Sequence, residues 1–465
     1  MDTPLKLALP KGRLMEETAA LLDDAGWGFS GYNQGSRSYR LKSTRFPHLS
    51  AKVFHEKDIP IQVAIGNYDL GICGLDWAAE LLVRYLSSAV VKVRELEHGR
   101  SLLYMAGSPG TSLGKIPARQ GVTRIATEYP NLAEAFAVRH RLRRFSIFPV
   151  WGAAEVYPPE SADLALVSVK AEEDMAASGL MPVSRVLTSS ALLIANRNSW
   201  ESKDMRRILD SIGSYREQQP AANPRTATAK QRTVEPADGD TVWLALPDGH
   251  QQAQTCQLLA RAGIEIDDYQ APTGNRRPAA NLAGVRVKLI RPQDMPTQVA
   301  NGNFDLAISG RDWLLEHLYQ FPSSPVTELL DLKFGKVKIV AVVGKNLAVE
   351  DSQGLRQLSS ERSVPLRVAS EYVNIADKYA RDNHLGRYRL VPTWGATEGF
   401  LPEDADLLIE NTQTGQTLSR HNLKTIAQLL ESTACLIGST TAVFGRSKGE
   451  RIRSITAALR AAVEG

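Results

Sequence analysis

Residues 7–26 read LALPKGRLMEETAALLDDAG, and residues 244–263 read LALPDGHQQAQTCQLLARAG. Each is a short apolar run closed by a proline, a turn at glycine, and then a helical stretch. In the first, Leu14, Thr18, Leu21, Leu22 and Ala25 fall at helical spacing. Working outward, the chain repeats itself in order. DIPIQVAIGNYDLGICGLDW (58–77) parallels DMPTQVANGNFDLAISGRDW (294–313), and RIATEYPNLAEAFA (124–137) parallels RVASEYVNIADKYA (367–380). PVWGAAEVYPPESADLAL (149–166) parallels PTWGATEGFLPEDADLLI (392–409), and SSALLIA (189–195) parallels STACLIG (432–438). Collinear matches at one offset point to duplication of a domain of roughly 200–220 residues, too long a period for a solenoid.

The expected organisation is a first copy over 1–216, a linker over 217–240 and a second copy over 241–465. The linker, EQQPAANPRTATAKQRTVEPADGD, holds Val234 as its one large aliphatic residue and no aromatic, so it cannot bury a core. Within each copy, strand-like runs such as YDLGIC, FDLAIS, KVKIVAVVG and ADLLIEN alternate with helical stretches. The fold class expected is α/β: two tandem copies of a two-subdomain unit, with mainly parallel sheets and a cleft between subdomains. Ligands in such sheets sit beyond the carboxyl ends of strands, so those turns hold the candidate sites.

Composition excludes several classes. Lys and Arg number 55 and Asp and Glu 51, a net charge of +4, which speaks against a bulk nucleic-acid binder. Cys73, Cys256 and Cys435 are scattered without CxxC spacing, which argues against a disulfide framework or a cysteine-held zinc. With no HExxH and no clustered histidines, a protein-held metal is not expected. No apolar run reaches 18 residues and the N-terminal stretch does not read as a signal peptide, so a cytoplasmic location is expected and no membrane association.

The sharpest motif is DLLIENTQTGQTL (406–418): a strand, then three threonines around a glycine opening a helix. Backbone N–H groups and threonine hydroxyls at such a turn bind phosphate, glycine allows close approach, and Glu410 can accept from ribose hydroxyls. A ligand-free threonine helix cap is the plainer alternative. Trp151 and Trp394 read as packing residues rather than base-stacking ones, and for Glu155 and Glu398 capping and catalysis stay equally open.

An acidic residue followed by T-G-x-T resembles the phosphoribosyl pyrophosphate loop of phosphoribosyltransferases. LALPKGRL, RPQDMPT (291–297), the D-L-x-I-x-G turns and the ATEYPN stretch resemble ATP phosphoribosyltransferases in particular, of the short-form type, over nearly all of both copies. The resemblance implies the first reaction of histidine biosynthesis, joining ATP to phosphoribosyl pyrophosphate. Magnesium would be carried by the pyrophosphate substrate rather than by a dedicated site. It implies Glu410, Thr412, Gln413, Thr414, Gly415, Gln416 and Thr417 for phosphoribosyl pyrophosphate, and Lys11, Gly12, Arg13, Glu371 and Tyr372 for ATP. Arg13, Arg37 and Arg291 are implied as catalytic, stabilising the leaving group. A homo-oligomer and a regulatory subunit resembling histidyl-tRNA synthetase are the implied partners. Only about 25 residues follow the last repeated segment, so no built-in histidine-sensing domain is expected.

Each copy departs from the family where the other keeps it. The first has VSVKAEED (167–174) in place of the phosphate loop, with three carboxylates that would repel the ligand. The second replaces Lys11-Gly12-Arg13 by Asp248-Gly249-His250, has only GNRRPA as a loose counterpart of RSYR (37–40), and carries Arg291 where the first has His55. One working phosphoribosyl pyrophosphate site per chain is therefore expected, built from both copies paired as the subunits of a dimer would be. Two other readings stay open: a non-catalytic paralogue that senses ATP, AMP or histidine, and a two-lobed solute-binding protein.

Overall fold

The computed structural model describes residues 4–33, 39–85, 89–114, 116, 121–212, 240–270, 275–413, 415–441 and 444–465. Nearly all of the linker, with Arg37 and Thr414, lies outside them. The chain packs as two units: Met1–Pro149 with Ala162–Gln231 and Thr393–Gly399, and Arg232–Pro392 with Val150–Ser161 and Phe400–Gly465. Each unit thus follows one copy except for a short strap taken from the other.

The first unit has two lobes. Across the first sheet run Arg40–Lys42, Leu49–His55, Leu5–Lys11, Leu70–Gly74, Ala191–Asn196 and Val90–Glu95. Across the second run Met181–Ser189, Ser101–Gly107, Leu164–Val169, Thr123–Thr127 and Phe145–Pro149. Pairing is parallel where βα units follow one another: Leu5–Lys11 pairs parallel with both Leu49–His55 and Leu70–Gly74. It turns antiparallel where the chain returns from the other lobe, since Ala191–Asn196 arrives from the opposite direction. The expectation of mainly parallel sheets therefore holds for the neighbouring strands joined by βα units, and the strands that return from the other lobe pair antiparallel beside them.

The second unit repeats the plan. Its first sheet orders Val285–Ile290, Val242–Pro247, Leu306–Gly310, Ala434–Ser439 and Val326–Asp331. Its second orders Tyr388–Pro392, Leu366–Ser370, Leu407–Thr412, Val337–Gly344 and Leu423–Ser432. The chain crosses between lobes twice, after Val326–Asp331 and after Leu423–Ser432, as the first does after Val90–Glu95 and Met181–Ser189.

Local physics accounts for these elements. LKLALPK is buried at five of its seven positions, as suits a strand covered on both faces. The helix Met15–Asp24 buries Leu14, Thr18, Leu21, Leu22 and Ala25 together, the set its spacing marked out. Glu16 and Glu17 sit in its first turn, where the helix dipole favours them. The terminal helix runs Arg446–Glu464 and closes the second unit's first lobe through Ile455 and Leu459. Among the described residues no helix is long and apolar enough to cross a membrane.

The strap Val150–Ser161 is fixed in the second unit by charge. Lys288, 1% exposed, lies within an apolar strand and donates to the Val156 carbonyl at 3.0 Å and to Glu160 at 2.7 Å. Arg277 meets the same carboxylate at 2.7 Å and donates to the Val156 carbonyl at 2.9 Å. Burial works to raise the Glu160 pKa, but Lys288 and Arg277 outweigh it and bring it down to about 2. Glu160→Gln strands a buried ammonium and should cost about 3–5 kcal/mol in chemical denaturation, whereas Glu160→Gln with Lys288→Met should cost clearly less. Equal losses for the single and double variants would show that the charge pairing does not hold the strap.

Candidate functional site

In each unit the turns at the carboxyl ends of the parallel strands bring the lobes face to face, fastened the same way. Helix Leu75–Arg84 begins at Gly74 and offers Asp76, whose side chain is 0% exposed. The Asp76 carboxylate accepts from Tyr129 Oη of the other lobe at 2.9 Å, and Tyr129 stacks on Trp77 at 4.3 Å. Asp312 accepts from Tyr372 at 2.6 Å, and Tyr372 stacks on Trp313 at 4.3 Å. One turn along, Glu80 accepts from the Asn131 and Leu132 N–H groups, both at 2.8 Å, and Glu316 does the same for Asn374 and Ile375. A carboxylate of one lobe thereby caps a helix of the other, satisfying N–H groups that have no partner within their own helix.

The two clefts differ in how the buried aspartate is balanced. In the first, Gly12 (φ +94°) turns the chain so that Arg13 reaches inward, a conformation glycine adopts without strain. Arg13 donates to both Asp76 oxygens at 2.9 and 2.7 Å, to Glu56 at 3.2 Å and to Ser101 at 2.9 Å. Burial opposes its charge, but Asp76 and Glu56 outweigh that and raise its pKa. Burial, checked by Arg13 and reinforced by Asp76, lifts Glu56 to about 7. Arg13 is thus engaged by two carboxylates rather than presented to a phosphate. Lys11 lies over the Tyr39 ring at 5.3 Å.

In the second cleft Glu56 and Arg13 have gone together, replaced by Pro292 and His250. Asp312 keeps two hydroxyl donors, Tyr372 and Ser432, the latter at 2.7 Å. Strand Leu407–Thr412 ends here, and Asn411 donates to the Tyr372 hydroxyl at 3.2 Å, tying the phosphate-loop motif to the fastening. Glu410 is half-buried and accepts from the Asn411 N–H at 2.9 Å. The Gly415 N–H donates to Thr412 Oγ1 at 3.0 Å, and Gly415 (φ +72°) starts the short helix Gln416–Arg420 with no atom within 4 Å of where a Cβ would stand. Gln413, Gln416 and Thr417 are exposed around that opening. The first-unit counterpart is blocked by acids: Glu172 accepts from Tyr104 at 2.8 Å and Asp174 from the Ala171 N–H at 2.9 Å.

Of the other nominated residues, Arg291 is 43% exposed and pairs with Asp248 at 3.3 Å. Tyr372 is 2% exposed and serves the lobe fastening, so its hydroxyl is already committed to Asp312; Glu371 beside it is half-buried. Trp151 packs edge-on against Trp313 at 5.6 Å, and its N–H donates to Asp294 at 3.1 Å, a structural position.

Sequence reasoning passed over Asp76 and Asp312, Tyr129, Glu56 and the Glu160–Lys288 pair. A signal existed: both copies place a lysine within an apolar strand, at 52 and 288, and a glutamate after a proline, at 160 and 403.

The family described as HisG, ATP phosphoribosyltransferase, matches residues 55–214 and again 291–461. The ATP phosphoribosyltransferase of Prosthecochloris aestuarii is 31% identical over 220 residues, 47% of this chain and 71% of that protein. That of Pelotomaculum thermopropionicum is 30% identical over 225 residues, 47% of this chain and 72% of that protein. Among solved structures, the ATP phosphoribosyl transferase (HisG:HisZ) complex from Thermotoga maritima is similar with a TM-score of 0.38 and 22% identity, over 45% of this chain and 96% of that one. With the family matched twice along its length, the chain belongs to the ATP phosphoribosyltransferase family.

Proposed function

We propose that this chain is an ATP phosphoribosyltransferase of histidine biosynthesis, with one phosphoribosyl pyrophosphate site per chain, in the second unit. The observation that carries this is the pair of segments Glu410–Gln413 and Gly415–Thr417, at the carboxyl end of a central strand, with an open approach at Gly415. In this reading the loop's N–H groups and hydroxyls take the 5′-phosphate, and Glu410 accepts from the ribose. Adenine N1 of ATP forms a bond to C1′ as the C1′–oxygen bond to pyrophosphate breaks. Adenine N1 offers a free lone pair, so no general base is needed. Catalysis rests on alignment and on cations, Arg291 among them, that stabilise the departing pyrophosphate. Magnesium travels with that pyrophosphate. The first cleft holds no comparable loop and serves as scaffold or nucleotide-sensing site. A regulatory subunit resembling histidyl-tRNA synthetase belongs to the same reading.

The purified chain should release pyrophosphate from ATP plus phosphoribosyl pyrophosphate, and none released with both present would reject the assignment. Gly415→Val forces a branched side chain into a left-handed position and into the approach path. It should weaken phosphoribosyl pyrophosphate binding by about tenfold or more in calorimetry, with the fold retained.

Arg13→Gln tests the first cleft. It leaves Asp76 and Glu56 buried without a cation, at a cost of about 3–5 kcal/mol. Glu56, already raised to about 7, must rise further without Arg13, so a folded state that takes up the proton is spared the penalty at low pH. The loss in urea melts should be smaller at about pH 5 than at about pH 8. A loss independent of pH would mean that Glu56 does not titrate with the cluster.

A further inference from the structure

Of four matching positions, three carry different charges in the two units and the fourth is glutamate in both. Backbone hydrogen bonds fix the equivalence. The Val53 N–H donates to the Tyr39 carbonyl and the Leu289 N–H to the Arg276 carbonyl, both at 2.9 Å, so Arg276 stands where Tyr39 stands. Lys11 pairs with His55 in the parallel ladder, and Asp248 and Arg291 follow Pro247 and Ile290 in the matching one. Glu398 and Glu155 occupy equivalent places on the straps.

In the first unit Lys11 lies over the Tyr39 ring, and Tyr39 Oη donates to Glu398 at 3.0 Å. In the second, one carboxylate holds two guanidiniums: Asp248 Oδ1 accepts from Arg291 at 3.3 Å and Oδ2 from Arg276. Arg276 Nε also lies 3.8 Å from Glu155 on the strap. Lysine to aspartate removes two charges, and tyrosine to arginine with histidine to arginine restores them. The sum is kept while a single ammonium becomes two planar forks. Asp248 is 11% exposed, but Arg276 is 29% and Arg291 43% exposed, so the brace is half-buried and the forks reach further into solvent. Gly152 closes one side of Arg291: a Cβ added there would stand 3.1 Å from its Nε.

Two guanidiniums held at one carboxylate, at the carboxyl ends of adjacent parallel strands, offer paired N–H donors to two linked phosphoryl groups. Without Asp248 they would repel each other and swing apart. A lysine at that position, as in the first unit, would add a third positive charge.

We propose that Arg276 is a second anion-binding arginine, acting with Arg291 on a pyrophosphate group, and that Asp248 is the positioning residue for both. The pyrophosphate identity rests on the proposed function; the anion site does not. Calorimetry of the full chain with inorganic pyrophosphate tests it. Arg276→Gln should weaken binding by about tenfold or more without changing the melting temperature. Asp248→Asn should weaken it comparably, and Asp248→Glu should recover most of it. Arg276→Gln decides alone, because its part-exposed side chain can be truncated without opening the core. Binding by Arg276→Gln within about twofold of the parent chain overturns the proposal, even if turnover of ATP and phosphoribosyl pyrophosphate is normal. Weakened binding in a chain that shows no turnover keeps the anion site and removes the enzymatic reading instead.

Discussion

The buried aspartate at the start of the helix after each first-lobe strand is the constraint on which the rest of the molecule depends. Asp76 and Asp312 each accept a tyrosine hydroxyl from the opposite lobe, and each tyrosine is stacked on the tryptophan next to its aspartate. A carboxylate so deeply placed is tolerated only with its lone pairs filled, so lobe spacing, ring stacking and helix start are set together. Ser189 and Ser432 complete the arrangement, because each lies at a crossing between lobes and accepts the aspartate's own N–H.

Around that fixed point the copies have diverged in groups of residues rather than singly. The first keeps Arg13 together with Glu56, two partners that make sense only as a pair, and fills its loop with carboxylates. The second loses both and joins Asn411, beside the threonine loop, to the fastening through Tyr372. Asp248, Arg276 and Arg291 differ from Lys11, Tyr39 and His55 as a set, and within the second unit the one carboxylate is shared by the two guanidiniums. The two units thus share one lobe junction and differ in the charge placed around it.

Much of this was legible in the sequence. Short apolar runs and helical spacing located strands and helices, and the helix Met15–Asp24 with its caps buries the residues its spacing named. The threonine loop was visible because its chemistry is contiguous. The Arg13 cluster was not, since Arg13, Glu56, Asp76 and Ser101 meet only after three βα units have folded. The bond from the Tyr372 hydroxyl to Asp312 was hidden for a related reason, since its partners lie in different lobes and far apart in the chain. The antiparallel flanks escaped as well, because strand direction is set by where the chain has just been and not by its composition.

The straps carry a consequence for how the protein is made. The first unit takes Thr393–Gly399 into its own packing, and Tyr39 meets Glu398 at a separation of 359 residues. Its other segments have all been synthesised by Gln231, so it stands one strap short while the ribosome adds residues 232–392. At about 5–20 residues per second this is a wait of roughly 8–32 s. The second unit faces no such delay, for its borrowed strap, Val150–Ser161, leaves the ribosome before it does. The first unit, begun first, is therefore complete only at Gly399, when most of the second has already been made, so the two halves gather their last parts close together.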